Sequence, residues 1–266
     1  MKSKVLVLTL FACLMFSGLV FADEVIVKIN DQFINRDDLV IYQDGVTYGM
    51  VSEFANRMGV EVEWLENAKL AVLKIGENYV SFQMDSNLLI INNKDFKMKA
   101  NTITLNNRIY VPLDTLSEQL SIEFTWDSAL MLASLKNANI SVDPSEVRKV
   151  SFTDEDVLWL SRIIDIEANG KSLTKKTAVA NVVLNRVASP RFPNTVYDVI
   201  YQRGQFPPAY YSRFATLVPV ESSVIAAKRA LMGVVIAENC LFFNNRPFAS
   251  KADSFYKLIE GDYFYY

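Results

Sequence analysis

The sequence predicts an α+β protein of two domains, with a duplicated strand-and-helix module in front and a mainly helical domain behind. Three observations predict it. The front half matches itself without gaps at a spacing of 62 residues, the separation of Trp64 and Trp126 (126 − 64). Between Phe152 and Val187, a helical pattern with one apolar face and a second that is apolar over most of its circumference, as a central helix would be, meet at Gly170. Between these regions, residues 137–151 (NANISVDPSEVRKVS) are polar and follow neither the helical nor the strand period, which reads as a linker.

The chain opens with a targeting pattern. Lys2 and Lys4 give a positive start, Val5 to Val20 an apolar core, and Val20-Phe-Ala22 a small-residue cleavage site. This predicts a signal peptide over residues 1–22, cut after Ala22, and a secreted chain. The apolar run is short for a membrane span, and polar chain follows from Asp23. Losing Lys2 and Lys4 takes the net charge from −3 to −5 (25 − 30), which argues against nucleic acid as a partner.

Composition excludes several chemistries. The 266 residues contain no histidine, so Ser-His-Asp and Cys-His catalysis are ruled out, and an imidazole-built zinc site with them. No metal and no cofactor is expected, and carboxylates remain as acid and base. Cys13 leaves with the signal peptide, so no disulfide can form within the mature chain. Cys240, in the apolar run Ala237 to Phe243, reads as a buried, inert thiol.

In the front domain, residues 23–136, Thr47–Lys74 lies over Ile109–Lys136. Tyr48 meets Tyr110, Glu61 meets Glu123, Trp64 meets Trp126, and upstream Ile29-Asn30 falls on Ile91-Asn92. This is an internal duplication. Each copy reads strand, turn, strand, short helix, strand, strand. Val51, Phe54, Ala55 and Met58 form the first helix face, and Leu113, Leu116 and Leu120 the second. Trp64 and Trp126 suit core packing, with a sugar-stacking platform as the sharper alternative. The pattern resembles the copper amine oxidase N-terminal-like domain of secreted bacterial wall proteins. The resemblance implies a stalk that associates with wall polymers or other envelope proteins. No copper motif is present, because no histidine is.

The back domain, residues 152–266, begins at a capping box of Thr153 and Asp156. Trp159, Leu160, Ile163 and Ile164 recur at helical spacing, and Glu167 continues their face just before Gly170. A carboxyl on an apolar face either reaches outward to cap a neighbouring helix or stays buried with a raised pKa, as a general acid requires. The second helix runs from near Thr174 to before Ser189-Pro190, with Asn181 and Asn185 on one face. Asn185 either caps a neighbouring loop or lines a groove beside Glu167. The loop Tyr201–Ala209 offers Gln205 and Phe206, an amide and an aromatic suited to an N-acetyl hexosamine; taken alone, Phe206 reads better as a loop anchor in the core. A further helix is expected from Val220 to Met232, and the aromatic tail from Phe242 closes the core, with Asn244 facing the cleft.

Glu167-Ala-Asn-Gly170, Thr177-Ala-Val-Ala-Asn-Val-Val-Leu-Asn-Arg186, Ser189-Pro-Arg-Phe-Pro-Asn-Thr195, Tyr201-Gln-Arg-Gly-Gln-Phe206 and Leu241-Phe-Phe-Asn244 together resemble the SleB-type cell-wall hydrolases, the spore cortex-lytic enzyme family. The resemblance implies a lysozyme-like back domain that cleaves peptidoglycan glycan strands in the cell wall or spore envelope, with Glu167 as its acid. It also favours Asn185 over Asn181 in the groove. One departure stands at Lys171, where the family usually carries a second Glu. Hydrolysis normally needs two carboxylates. A lytic transglycosylase needs one, because the muramoyl C6 hydroxyl is an intramolecular nucleophile. The isolated Glu167 therefore favours transglycosylation. A non-catalytic peptidoglycan-binding or structural envelope protein that keeps the fold is the competing class.

Overall fold

The computed structural model describes residues 24–266. The expected signal peptide and its cleavage site lie outside the described residues. The front half is strand-rich: β1 (Ile26–Ile29), β2 (Gln32–Ile34), β3 (Val40–Gln43), β4 (Val46–Met50), α1 (Val51–Arg57), β5 (Glu61–Leu65), β6 (Leu70–Ile75), β7 (Asn78–Gln83), β8 (Leu88–Ile91) and β9 (Lys94–Lys97). It continues through β10 (Ile103–Leu105), β11 (Arg108–Pro112), α2 (Leu113–Gln119), β12 (Glu123–Asp127) and β13 (Leu132–Lys136). α1 and α2 begin at Val51 and Leu113, which are 62 residues apart (113 − 51). The hairpin turns fall at the same interval. Asn30-Asp31 and Asn92-Asn93 have paired positive φ, as do Asp44-Gly45 and Asn106-Asn107. Such two-residue turns match the right-handed twist of the strands they join.

Three sheets result, ordered β12-β13-β1-β2-β14, β10-β11-β4-β3 and β5-β6-β7-β8-β9, with β14 at Val147–Arg148. β1 pairs in parallel with β13, Ile26 against Leu132, so the first strand closes the sheet begun by the last two. The core sits between sheets and helices and contains Ile29, Leu39, Phe54, Leu73, Phe82, Leu113, Leu116 and Leu135, each no more than 1% exposed. Fully burying such side chains is worth about 1.5–3 kcal/mol apiece. Gly49 admits this packing, because a Cβ there would lie 2.7 Å from Leu113 Cδ1.

Two expectations for this half are corrected. Trp64 is not in the core: it lies 41% exposed on edge strand β5, where its Nε1 donates to the Glu66 carboxylate. Trp126 is half-buried and stacks on Tyr42 at 5.3 Å. Nor do residues 137–151 form a free tether. Ile140 is buried in the front core, and β14 pairs with β2. Glu146 accepts from Arg57 Nη2 at 2.5 Å and Arg36 Nη1 at 2.8 Å. A polar, aperiodic segment is held here by ion pairs and one short ladder, neither of which has a periodic sequence signature.

The back half is built on α3 (Asp154–Glu167), α4 (Leu173–Ala188), α5 (Val196–Ile200) and α6 (Glu221–Leu231). The capping box forms as expected: Thr153 Oγ1 accepts from Asp156 N, and the Asp156 carboxylate accepts from Thr153 N. Ser172 caps α4. α6 packs against both α3 and α4 around Leu160, Ile163, Ile164, Val179 and Val183, all fully buried. The aromatic tail also forms a three-stranded antiparallel sheet of β15 (Phe242–Asn244), β17 (Asp262–Tyr265) and β16 (Phe255–Ile259). β16 and β17 meet at a two-residue turn, Glu260-Gly261, with φ of 44° and 91°.

The halves touch through polar contacts. Arg229 on α6 donates to the Leu130 carbonyl at 2.8 Å and the Glu24 carbonyl at 3.2 Å. Arg148 donates to the Met232 carbonyl at 3.1 Å and to Asn35 Oδ1 at 2.6 Å, its guanidinium lying across Gly233. A side chain at position 233 would collide with it.

Candidate active site

Glu167 is the last residue of α3, and the chain leaves the helix through Gly170, whose φ of 68° favours glycine. The face that buries Leu160, Ile163 and Ile164 thus carries Glu167 to the edge of the back-half core. There it borders a cleft of about 310 Å³ shared with Arg186, Gln205, Phe206, Pro207, Phe243, Asn244, Asn245 and Asp262. α3, α4, the loop after α5, and the small sheet each contribute at least one of these residues.

Burial holds the Glu167 carboxyl above the usual carboxylate range, and the nearby Asp262 charge pushes it further the same way, while Arg186 opposes both. The C-terminal end of a helix, which carries partial negative charge, likewise disfavours a carboxylate. Among the described residues no side chain hydrogen-bonds Glu167. Such a group is suited to protonating a leaving-group oxygen.

Arg186 is 4% exposed, and burial lowers its pKa to about 10 against the pull of Glu167. Its Nε donates to the Leu241 carbonyl at 2.8 Å, and its guanidinium lies 4.9 Å from the centre of the Phe206 ring. Phe206 is 2% exposed, so it anchors the loop in the core and also forms a wall of the cleft.

Of the residues singled out from sequence, Glu167, Gln205, Phe206 and Asn244 come together at this cleft. The Asn244 Nδ2 donates to the Arg246 carbonyl at 3.0 Å. Asn185 does not line the cleft. Its Nδ2 donates to the Ala237 carbonyl at 2.9 Å and the Cys240 carbonyl at 3.0 Å, which pins the segment before β15. Asn181 braces the same segment one turn earlier, donating to the Val234 carbonyl and accepting from Ile236 N and Ala237 N. The buried face of α4 must satisfy a loop backbone there, and the two amides are spent on it.

Asp262 is the site residue that sequence reasoning missed. It opens β17, and its Oδ2 accepts from Lys175 Nζ at 2.5 Å. Lys175, only 1% exposed, also donates to the Ile259 carbonyl at 3.1 Å and lies 4.7 Å from the centre of the Phe264 ring. The other carboxylates that could have partnered Glu167 are engaged elsewhere or outside the cleft. Asp165 accepts from Ser223 Oγ at 2.9 Å on α6, Asp198 pairs with Thr195 at the start of α5, and Glu221 is exposed. Cys240 is fully buried, and burial pushes its thiol up to about 12. Among the described residues no cluster of three or more His, Cys, Asp or Glu side chains is suited to a metal, and no helix is long and apolar enough to cross a membrane.

Comparison with known proteins finds a family match in each half. Residues 28–133 match the copper amine oxidase N-terminal domain, and residues 170–265 match the Cell Wall Hydrolase domain. Glu167 lies just before the second match. The spore cortex-lytic enzyme of Bacillus subtilis (strain 168) is 32% identical over 94 residues, which cover 35% of this chain and 30% of that protein. The spore cortex-lytic enzyme of Bacillus cereus is 32% identical over 94 residues, covering 35% of this chain and 36% of that protein. The match thus spans about a third of these relatives' length. Among solved structures, the catalytic domain of the Bacillus cereus SleB protein is 27% identical, with a TM-score of 0.37 over 44% of this chain and 93% of that one. The catalytic domain of the germination-specific lytic transglycosylase SleB from Bacillus anthracis is 28% identical, with a TM-score of 0.37 over 45% of this chain and all of that one.

Proposed function

We propose that this chain is a secreted enzyme of the cell wall or spore envelope that cleaves peptidoglycan glycan strands at the MurNAc–GlcNAc bond, as a lytic transglycosylase. The observation that carries the reading is a carboxyl, Glu167, whose pKa burial raises, in a cleft walled by Gln205, Phe206 and Asn244. The Cell Wall Hydrolase match and the spore cortex-lytic relatives support peptidoglycan as the substrate.

In this mechanism Glu167 gives its proton to the glycosidic oxygen as the bond to the muramoyl anomeric carbon breaks. The muramoyl C6 hydroxyl adds to that carbon, closing a 1,6-anhydro ring, and its proton returns to the Glu167 carboxylate. No water is consumed. Gln205 and Asn244 supply amides for sugar hydroxyls and acetamido groups, and Phe206 supplies an apolar ring face.

A second reading follows from Asp262, which lines the same cleft and offers the partner carboxylate that hydrolysis needs. The 2.5 Å contact with Lys175 weighs against it, because a carboxylate whose oxygen is already held by a buried ammonium is a poor base for water. The front half is read as a duplicated stalk. The recurrence of helices and turns at one interval supports the duplication, and the match to the copper amine oxidase N-terminal domain is consistent with a separate, non-catalytic module.

The test is Glu167→Gln, which keeps size and hydrogen bonding but removes the transferable proton. Turbidity of peptidoglycan suspensions should fall about 10²–10⁴-fold more slowly than with wild type, while pelleting with the wall persists. Full activity in the variant would remove Glu167 from the chemistry. A wild type that binds wall but never cleaves it would leave a binding protein on a hydrolase fold.

A further inference from the structure

We propose that Asp262, fixed by Lys175, is a positioning residue that keeps Glu167 in its proton-donating form. The proposal rests on the reading of Glu167 as the acid and adds a second residue to it.

The geometry begins at the β16–β17 turn. Glu260 accepts from the N-cap of α4, Ser172, through both its backbone N and its hydroxyl. One helical turn on, Lys175 grips the Ile259 carbonyl and the Asp262 carboxylate on either side of the same turn. The hairpin is thus clamped to the start of α4 at two successive levels, and α4 starts just after the turn that ends α3 at Glu167. Asp262 is thereby held at the rim of the cleft that Glu167 occupies.

A lysine with 1% exposure is costly unless its charge is used. Here it fixes a carboxylate on the wall of the cleft that Glu167 also lines. Like charges that share a cleft cannot both ionise cheaply, so an anion fixed at position 262 favours the protonated form of Glu167. The charged groups facing Glu167 are Asp262 from β17, which favours the proton, and Arg186 from α4, which opposes it. Those facing the Lys175 ammonium are Asp262, Glu260 from the turn and Lys171 from the α3–α4 connection. The negative charge supplied near Glu167 comes from far along the chain, in a protein whose nearby position 171 carries lysine.

The experiment measures kcat/KM against pH on purified glycan strands, using the full secreted chain. Asp262→Asn should move the alkaline limb to lower pH, because the acid loses its proton earlier, and its loss at the optimum should stay below the roughly 10²-fold cost of losing an acid or base. Asp262→Glu should return the limb towards wild type. Asp262→Asn strands a buried ammonium, so the double variant with Lys175→Met, which removes both charges, should fold and show the same displacement. An unmoved limb overturns the proposal. So does a folded Asp262→Asn enzyme inactive at every pH, which would make Asp262 a reacting group, and so does failure of both variants to fold, which would make the pair a structural brace. A wild type without cleavage, or a fully active Glu167→Gln, defeats the underlying functional reading instead.

Discussion

Glu167 is where burial and the Asp262 carboxylate both favour a neutral carboxyl and Arg186 resists them. That balance has a consequence for stability as well as chemistry. A carboxyl whose folded pKa lies above its unfolded value stabilises the fold fully at low pH, and that contribution is lost as pH rises through the folded pKa. Glutamine mimics the protonated form at every pH. Glu167→Gln should therefore melt higher than wild type at neutral pH, with the difference closing near about pH 4, where an ordinary carboxylate protonates. Thermal melts across that range check it; a variant less stable at pH 7 would mean that the ionised carboxylate is satisfied in the fold. The place of Glu167 at the end of an apolar helical face was legible in the sequence, because helical spacing and a terminating glycine bracket it. Asp262 was not: no local period links it to Glu167, and only the hairpin turn and the buried Lys175 bring the two together.

At the scale of elements, α4 does more than pack. Asn181 and Asn185 present two amides, one turn apart, to the backbone between Val234 and Cys240. The apolar circumference of α4 predicted a central helix, and two buried asparagines on it predicted partners. Which partners they find depends on how the segment after α6 returns across α4, and that is a tertiary outcome. Asn181→Ala should cost about 1–3 kcal/mol, because Ile236 N, Ala237 N and the Val234 carbonyl all lose their partner in the interior. Denaturant unfolding measures this, and a change under about 0.5 kcal/mol would show that the segment repacks freely. The helices themselves were readable to within a residue or two, since caps at Thr153 and Ser172 and the break at Ser189 are local chemistry. The tail strands were less so, because an aromatic run fits a core-closing loop as well as a small sheet.

Across the whole molecule, the boundary between halves lies later than polarity alone suggests. Glu146 ties residues 137–148 to Arg36 and Arg57, and β14 extends the front sheet. A fragment of residues 23–149 should therefore melt cooperatively and above a fragment of residues 23–140, which lacks Glu146 and leaves the nearly buried Arg57 short of its partner. Breaking such a pair costs several kcal/mol when it is fully buried, and about 1–3 kcal/mol is expected for this one, whose Glu146 keeps some contact with solvent. Equal melting of the two fragments would return residues 141–149 to the role of a tether. The two short helices of the front half and their 62-residue spacing were legible in the sequence, and four of its hairpin turns carry an asparagine, aspartate or glycine pair. The contacts of Arg148 and Arg229 across the halves were not, since they are aimed at backbone carbonyls, which sequence does not distinguish.

One measurement bears most directly on the proposed chemistry: the mass of the muropeptide ends released from peptidoglycan by the wild-type protein. If Glu167 serves as acid and then base while Asp262 stays bound to Lys175, the ends are 1,6-anhydro muramoyl groups, lighter by one water than hydrolysed ends. Reducing muramoyl ends would contradict this, and would make Asp262 the base that activates water.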